Sequence, residues 1–149
     1  MSNCLLPNEE IFVNDGYKEI EDVEVNDTVM SHDGKFYKVT KKFEFTKPTY
    51  YFSLSDGQHI ECANTHRFLI NKTKIDKNSS WKTAEELHDG DEIFAIDIMK
   101  TNTDEGIVKY TRYKIIRKFP TGINRVIDLT IEDSHNYISA NGIINHNCN

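Results

Sequence analysis

Residues 17–30 read YKEIEDVEVNDTVM, and residues 81–94 read WKTAEELHDGDEIF. The two segments align without a gap at an offset of 64 residues. In each copy an aromatic residue and a lysine precede a short acidic turn, which leads through a polar turn ending in aspartate to an apolar strand. Two copies are too few for a solenoid, which needs about three or more units. The repeat therefore predicts two similar halves and a β domain with pseudo-twofold symmetry.

The rest of the chain favours β structure as well. Short segments rich in β-branched and aromatic residues predict strands at residues 36–40, 50–54, 109–119, 126–131 and 136–138. Asp-Gly pairs, which supply the positive φ that tight hairpins need, occur at Asp15-Gly16, Asp33-Gly34 and Asp56-Gly57. We expect an all-β fold with only short helical turns.

Composition limits the possible functions. A chain of 149 residues suits one domain, and a content of 38% hydrophobic and 11% aromatic residues can form a core. No apolar run approaches the roughly 18 residues that span a bilayer, and the start lacks a signal peptide, so we expect a cytoplasmic monomer without a membrane partner. A net charge of -6 argues against nucleic acid as a partner. The odd number of cysteines, three, favours reduced thiols over a disulfide framework.

The C-terminal segment carries the clearest chemistry. Residues 139–148 read SANGIINHNC. An asparagine side chain can attack its own following carbonyl, close a succinimide ring and cleave the chain, and Asn147 is placed to release Cys148 in this way. The imidazole of His146 can act as a general acid toward the leaving amine.

The N-terminal segment offers a second nucleophile. The thiol of Cys4 could attack the carbonyl of Asn3 and convert that amide to a thioester. This shift runs uphill for a relaxed peptide, so the fold must strain the junction and supply a donor to the developing oxyanion.

Together these segments resemble the splicing blocks of inteins. The resemblance rests on Cys4, on ECANTHRFL at residues 61–69, and on the stretch from Val126 to Cys148, which includes VIDL, HNY and ANGII before the final His-Asn-Cys. It covers almost the whole chain. Inteins have a horseshoe-shaped Hint fold with pseudo-twofold symmetry, and this agrees with the repeat.

The resemblance also implies roles for further residues. His66 would destabilise the Asn3–Cys4 amide and protonate its nitrogen, and Asp128 would hold the thiols and water between the two junctions. His135 would assist cyclisation of the asparagine.

The chain departs from the family pattern at two places. Where a threonine is usual, three residues before His66, it has Ala63, so Thr65 is the candidate to supply the missing donor. Asn26 stands where glycine is usual, and asparagine tolerates the positive φ expected there.

The expected reaction is autocatalytic splicing without a cofactor. An intein at residues 4–147 would leave the stub 1–3 joined to the stub 148–149, so its partners are flanking exteins in the same chain.

Residues 1–98 carry 19 acidic and 11 basic side chains, whereas residues 99–149 carry 5 acidic and 7 basic side chains. This asymmetry suggests a former split near 98/99, with a complementary intein fragment as a further partner.

Three alternatives remain open at this point. His59, Cys62 and His66 have ligand-like spacing for a metal, although residues 59 and 62 would face opposite sides of a strand. A hedgehog-like autoprocessing domain would need Cys4 but not Asn147, and a non-catalytic β binding module would need neither.

Overall fold

The computed structural model describes residues 4–71 and 80–146. This part of the chain is built of β-strands with two short 3-10 turns, Ile20–Asp22 and Ser55–Gly57, so the all-β prediction is confirmed. The strands are β1 (Glu10–Val13), β2 (Gly16–Glu19), β3 (Thr28–Met30), β4 (Phe36–Leu54), β5 (His59–Ala63), β6 (Arg67–Leu69), β7 (Trp81–Thr83), β8 (Glu92–Ile96), β9 (Tyr110–Ile131), β10 (Asn136–Ile138) and β11 (Ile144–His146). Within the two described ranges, no helix is long and apolar enough to cross a membrane.

Two long strands organise the molecule. β4 has 19 residues and β9 has 22, and they pair antiparallel along most of their length. The sequence predicted two separate strands within each of them, and this was wrong. In the middle of β4, residues 41–48, Phe43 and Phe45 alternate with polar residues, but the segment is mostly exposed and contains Pro48, and a proline argues against a central strand. Its pairing with β9 keeps it extended.

The described strands form two sheets. One has the order β2-β1-β3-β4-β9-β8, with β5 added to β4, and the other has the order β10-β11-β6-β7. The three predicted turns, at Asp15-Gly16, Asp33-Gly34 and Asp56-Gly57, lie in hairpins, between β1 and β2, β3 and β4, and β4 and β5. A large apolar cluster joins residues from both sheets, so the two sheets share a core.

The repeat has a structural counterpart. β2 and β3 belong to the first copy, and β7 and β8 to the second. Asn26 and Gly90 occupy equivalent positions with φ of 80° and 93°. The Asn26 N–H donates to the carbonyl of Val39 at 2.8 Å, and the Gly90 N–H donates to that of Ile115 at 2.7 Å. Each copy is thus attached in the same way to one of the long strands, and the positive φ expected at Asn26 is confirmed.

The C-terminal segment is built into the middle of the molecule. β10 and β11 form an antiparallel hairpin, and β11 lies between β10 and β6. In the connecting turn, the carbonyl of Gly142 accepts a 2.7 Å hydrogen bond from the Ile96 N–H of β8. This arrangement packs the segment that leads to Asn147 against β6 and β8.

Candidate active site

Cys4 lies in a short segment that is inserted between β5 and β9. The backbones of Leu5 and Ile127 exchange two hydrogen bonds, of 3.0 and 2.8 Å, and the Ala63 N–H donates to the carbonyl of Cys4 at 2.9 Å. The Cys4 side chain is fully buried and packs in a cluster with Leu6, Ala63 and Val126. The predicted nucleophile is therefore held by neighbours on both sides, whereas Asn3 lies outside the described residues.

His66 is anchored to the same neighbour as Cys4. Its N–H donates to the carbonyl of Ala63 at 3.0 Å, so one residue holds both the Cys4 backbone and the His66 backbone. The His66 ring is fully buried, and its Nε2 lies 2.9 Å from Oδ1 of Asn145. Burial lowers the pKa of His66 to about 4; the Asn145 hydrogen bond opposes this, and the positive charges of His146 and Arg67 add to it. The ring is neutral at pH 7.

Asp128 is buried in the interior of β9, next to the residue that pairs with Leu5. It shares its surroundings with Tyr137 of β10, whose side chain is also fully buried. Burial raises the pKa of the Tyr137 phenol well above its usual range, and the negative charges of Asp128, Cys4 and Cys62 raise it further. The predicted carboxylate, the predicted nucleophile and the phenol are all fully buried, and Val126, two residues before Asp128, packs against Cys4.

The C-terminal end of the site approaches the same region. His146 is half-buried, lies opposite Asn136 in the β10–β11 pair, and meets the Trp81 ring edge-on with a centroid distance of 4.9 Å. Asn147 and Cys148 lie outside the described residues.

Two predicted residues lie nearer the surface. His135 is exposed in the turn before β10, with φ of 63°, whereas the neighbouring Asn136 is buried. Thr65 is partly exposed, and its hydroxyl accepts a 3.5 Å hydrogen bond from the Lys47 ammonium. The catalytic roles given to His135 and Thr65 remain predictions.

The sequence analysis did not single out Asn145 and Tyr137 as site residues. Both are fully buried polar residues in the short strands β10 and β11. A polar side chain at a core position needs a buried hydrogen-bond partner, so a polar residue inside a predicted buried strand could have indicated a site residue. The partner of Asn145 lies 79 residues earlier in the chain, and sequence spacing alone does not reveal it.

The geometry does not support the metal alternative. His59 is exposed and stacks on the ring of Tyr51 at 5.7 Å, whereas Cys62 and His66 are fully buried. In the described ranges, no group of three or more His, Cys, Asp or Glu side chains is arranged to hold a metal ion.

The comparisons with known proteins agree with this geometry. A family model described as the intein splicing domain matches residues 5–147. The crystal structure of the gp41-1 intein is similar with a TM-score of 0.76 and 22% identity, over 97% of this chain and 98% of that one. A DnaB intein from Synechocystis sp. PCC 6803 is similar with a TM-score of 0.75 and 22% identity, over 98% of this chain and 99% of that one.

A bacterial intein-like domain from Clostridium thermocellum has a TM-score of 0.76 at 15% identity, over 99% of this chain and 100% of that one. No curated protein matches the chain. The structural likenesses establish the fold, which is the Hint fold of inteins. Because the family model covers nearly the whole chain, the chain belongs to the intein splicing domain family, whose members catalyse their own protein splicing.

Proposed function

We propose that residues 4–147 excise themselves and join residues 1–3 to residues 148–149. The Cys4 sulfur attacks the carbonyl carbon of Asn3, the carbon–nitrogen bond breaks, and the thiol proton ends on the released amine of Cys4. The Cys148 sulfur then displaces the Cys4 sulfur from the same carbonyl. The side-chain nitrogen of Asn147 attacks its own carbonyl carbon and releases the amine of Cys148, and this amine takes the acyl group from its neighbouring sulfur to form the new peptide bond.

His66 is the proposed proton carrier of the first step. With a pKa of about 4 its ring is neutral at pH 7 and can accept the thiol proton of Cys4. The protonated ring is then a strong acid, because burial disfavours its charge, and it passes the proton to the leaving amide nitrogen. We assign to Asp128 the positioning of the thiols, and to His146 the protonation of the amine that leaves during asparagine cyclisation.

His135 and Thr65 keep secondary roles in this proposal. His135 would assist cyclisation from the turn before β10, and the Thr65 hydroxyl would replace the donor that is missing at Ala63. The observation that carries the proposal is the common anchoring of Cys4 and His66 on Ala63, with the ring of His66 bonded to Asn145 two residues before Asn147. The contact between His66 and Asn145 thus connects the residues proposed to act at the first junction with the strand that leads to the second.

The test is a fusion of the chain between two reporter proteins, followed by intact mass measurement. We expect ligated reporters from the wild type and none from Cys4→Ala or Asn147→Ala. Cys62→Ala is the matched control, because Cys62 is also a buried cysteine but is not assigned to the reaction; it should still give ligated reporters. Ligation by Cys4→Ala, or its absence from the wild type under conditions in which the protein is folded, would refute the assignment.

We further propose that the chain derives from two fragments, 1–98 and 99–149, that associate and splice in trans. Met99 is 94% exposed and lies in a turn at residues 98–100. Arg125 in the second fragment forms ion pairs with Glu21 and Glu44 in the first, and Arg112 lies 3.7 Å from Glu92. The opposite charge of the fragments would speed their encounter.

Separate expression and mixing of the two fragments tests this proposal. We expect ligated product, with an association rate that falls as salt concentration rises. Failure to form product in fragments that do bind each other would contradict trans-splicing, while leaving splicing of the intact chain unaffected. The intact chain should run as a monomer in size-exclusion chromatography.

A further inference from the structure

We propose that Asn145 is a positioning residue that fixes the tautomer of His66 and thereby makes the first step depend on docking of strand β11. This inference rests on the proposed function, because it assumes that His66 acts at the Asn3–Cys4 junction. It concerns a residue whose side chain carries no role in the four steps themselves.

The orientation of the Asn145 amide is determined by its other hydrogen bonds. Its Nδ2 donates to the carbonyl of Tyr137 at 3.3 Å and to the carbonyl of Ile143 at 3.1 Å. Both partners are acceptors only, so the amide nitrogen must face them and Oδ1 must face the His66 ring. Oδ1 is also only an acceptor, and it lies 2.9 Å from Nε2. The Nε2 atom must therefore carry a proton.

This assignment decides the chemistry of the other ring nitrogen. Because the ring is neutral, a proton on Nε2 leaves Nδ1 with a lone pair. Among residues 4–71 and 80–146, Nδ1 has no hydrogen-bond partner although it is buried. Of the two ring atoms, Nδ1 is thus the one that can accept the Cys4 proton. In the opposite tautomer, Nδ1 would carry a hydrogen and could not act as the base.

The same contact connects the two ends of the splicing reaction. Asn145 lies in β11, opposite Phe68 of β6 on one side and Tyr137 of β10 on the other. His66 lies in the turn that leads into β6, and it is fully buried like Asn145. If β11 leaves its place between β6 and β10, the ring loses the acceptor that selects its tautomer. Thioester formation then requires a docked C-terminal strand, which would delay cleavage at the first junction until the second is in place.

The test uses the full chain with Asn147→Ala, which stops release at the second junction, and follows thiol-induced cleavage at the first. Asn145→Leu keeps the approximate size and removes the acceptor, and we expect cleavage to slow by about 10- to 100-fold. Asn145→Asp keeps an acceptor toward Nε2, so we expect it to recover part of the rate. Its charge should also shift the pH profile of cleavage upward, because a nearby carboxylate favours the protonated ring.

Asn136→Leu is the matched control. Asn136 is a buried asparagine of the neighbouring strand β10, but its amide bonds Ser31 and His32 rather than His66. Equal slowing by Asn136→Leu and Asn145→Leu would show a merely structural role and overturn the proposal.

Nitrogen-15 NMR of the His66 ring gives a readout that does not depend on activity. We expect a protonated Nε2 and an unprotonated Nδ1 in the parent and in Asn136→Leu, and a mixture of tautomers in Asn145→Leu. A proton on Nδ1 in the parent would overturn the inference. If the parent shows the expected tautomer but no thiol-induced cleavage, the proposed function fails and the tautomer assignment stands.

Discussion

Gly142→Ala is expected to disrupt the docking of the C-terminal segment far more than the same change at another glycine. Gly142 has φ of 85°, and a Cβ built on it would lie 2.1 Å from the carbonyl oxygen of Ile96. Gly90 has a similar φ of 93°, but a Cβ there would meet nothing within 4 Å. The pair separates the cost of the backbone conformation, which both variants share, from the cost of the contact, which only Gly142→Ala has.

The magnitudes follow from these two terms. A positive φ costs an alanine about 1–2 kcal/mol at either position. At Gly142, carbon and oxygen must also move apart to about 3.3 Å or more, so the turn and β8 must separate by about 1 Å. This breaks the hydrogen bond between the Ile96 N–H and the Gly142 carbonyl and leaves both groups without their partner, which costs a further 1–3 kcal/mol, roughly. We expect a loss of about 2–5 kcal/mol for Gly142→Ala and about 1–2 kcal/mol for Gly90→Ala.

The assay is denaturant and thermal unfolding in a background of Cys4→Ala and Asn147→Ala, which keeps the chain intact. For a domain of this size the melting temperature should fall by about 4–20 °C for Gly142→Ala and about 2–8 °C for Gly90→Ala. Equal losses in the two variants would refute the reasoning, because the contact with Ile96 would then contribute nothing. In the splicing-competent chain, Gly142→Ala should also slow asparagine cyclisation, since it displaces the turn that leads to β11.

Further outcomes follow from buried and charged groups. Burial lowers the pKa of His66 to about 4, so the contribution of His66 to the free energy of unfolding rises by about 3 kcal/mol from pH 4 to 6.5. Burial raises the pKa of Glu9 to about 7, so the contribution of Glu9 falls between pH 4.5 and 7. The two trends oppose each other, and Glu9→Gln should therefore expose a rise in stability with pH over this range, whereas a flat profile in denaturant titrations would contradict it. Cys62 is fully buried, and burial raises the pKa of its thiol. It should therefore resist alkylation in the native chain and react after unfolding, as measured by mass spectrometry. Rapid labelling of the native chain would be inconsistent with its burial. Arg125→Ala removes two exposed ion pairs and should lower the free energy of unfolding of the intact chain by less than about 1 kcal/mol. The same change should slow association of the separate fragments in stopped-flow mixing. An unchanged association rate would count against electrostatic guidance.

Local features of this fold were predictable because their causes are local. Three Asp-Gly pairs form hairpin turns through the backbone freedom of single residues, and the positive φ of Asn26 was expected because glycine is usual at its position in the family. The continuity of β4 and β9 was not predictable in this way. Their middle segments are mostly exposed and each contains a proline, and their extended form depends on pairing between residues far apart in the chain, such as Phe43 and Asp128.

The residues of the site also differ in how far the sequence predicts them. Residues with distinctive chemistry, such as Cys4, His66 and Asp128, could be identified from motifs, and the structure buries all three. The groups that orient them could not, because an asparagine in a strand has no distinctive chemistry until its partners are known. Asn145 reads as an ordinary polar residue in the sequence, and only the folded chain brings it to 2.9 Å from His66.

The position of that asparagine suggests how a chain that cleaves itself can avoid cleavage at the wrong time. Premature thioester formation would lead to hydrolysis at the first junction and loss of the upstream segment. In the proposed mechanism, His66 acts as a base in only one tautomer and Asn145 selects that tautomer, so the start of the reaction would depend on docking of the strand that leads to Asn147. The buried ring of His66 cannot replace this acceptor with water, because the residues around it exclude solvent. On this proposal, the order of the steps would follow from the packing of β11 against β6.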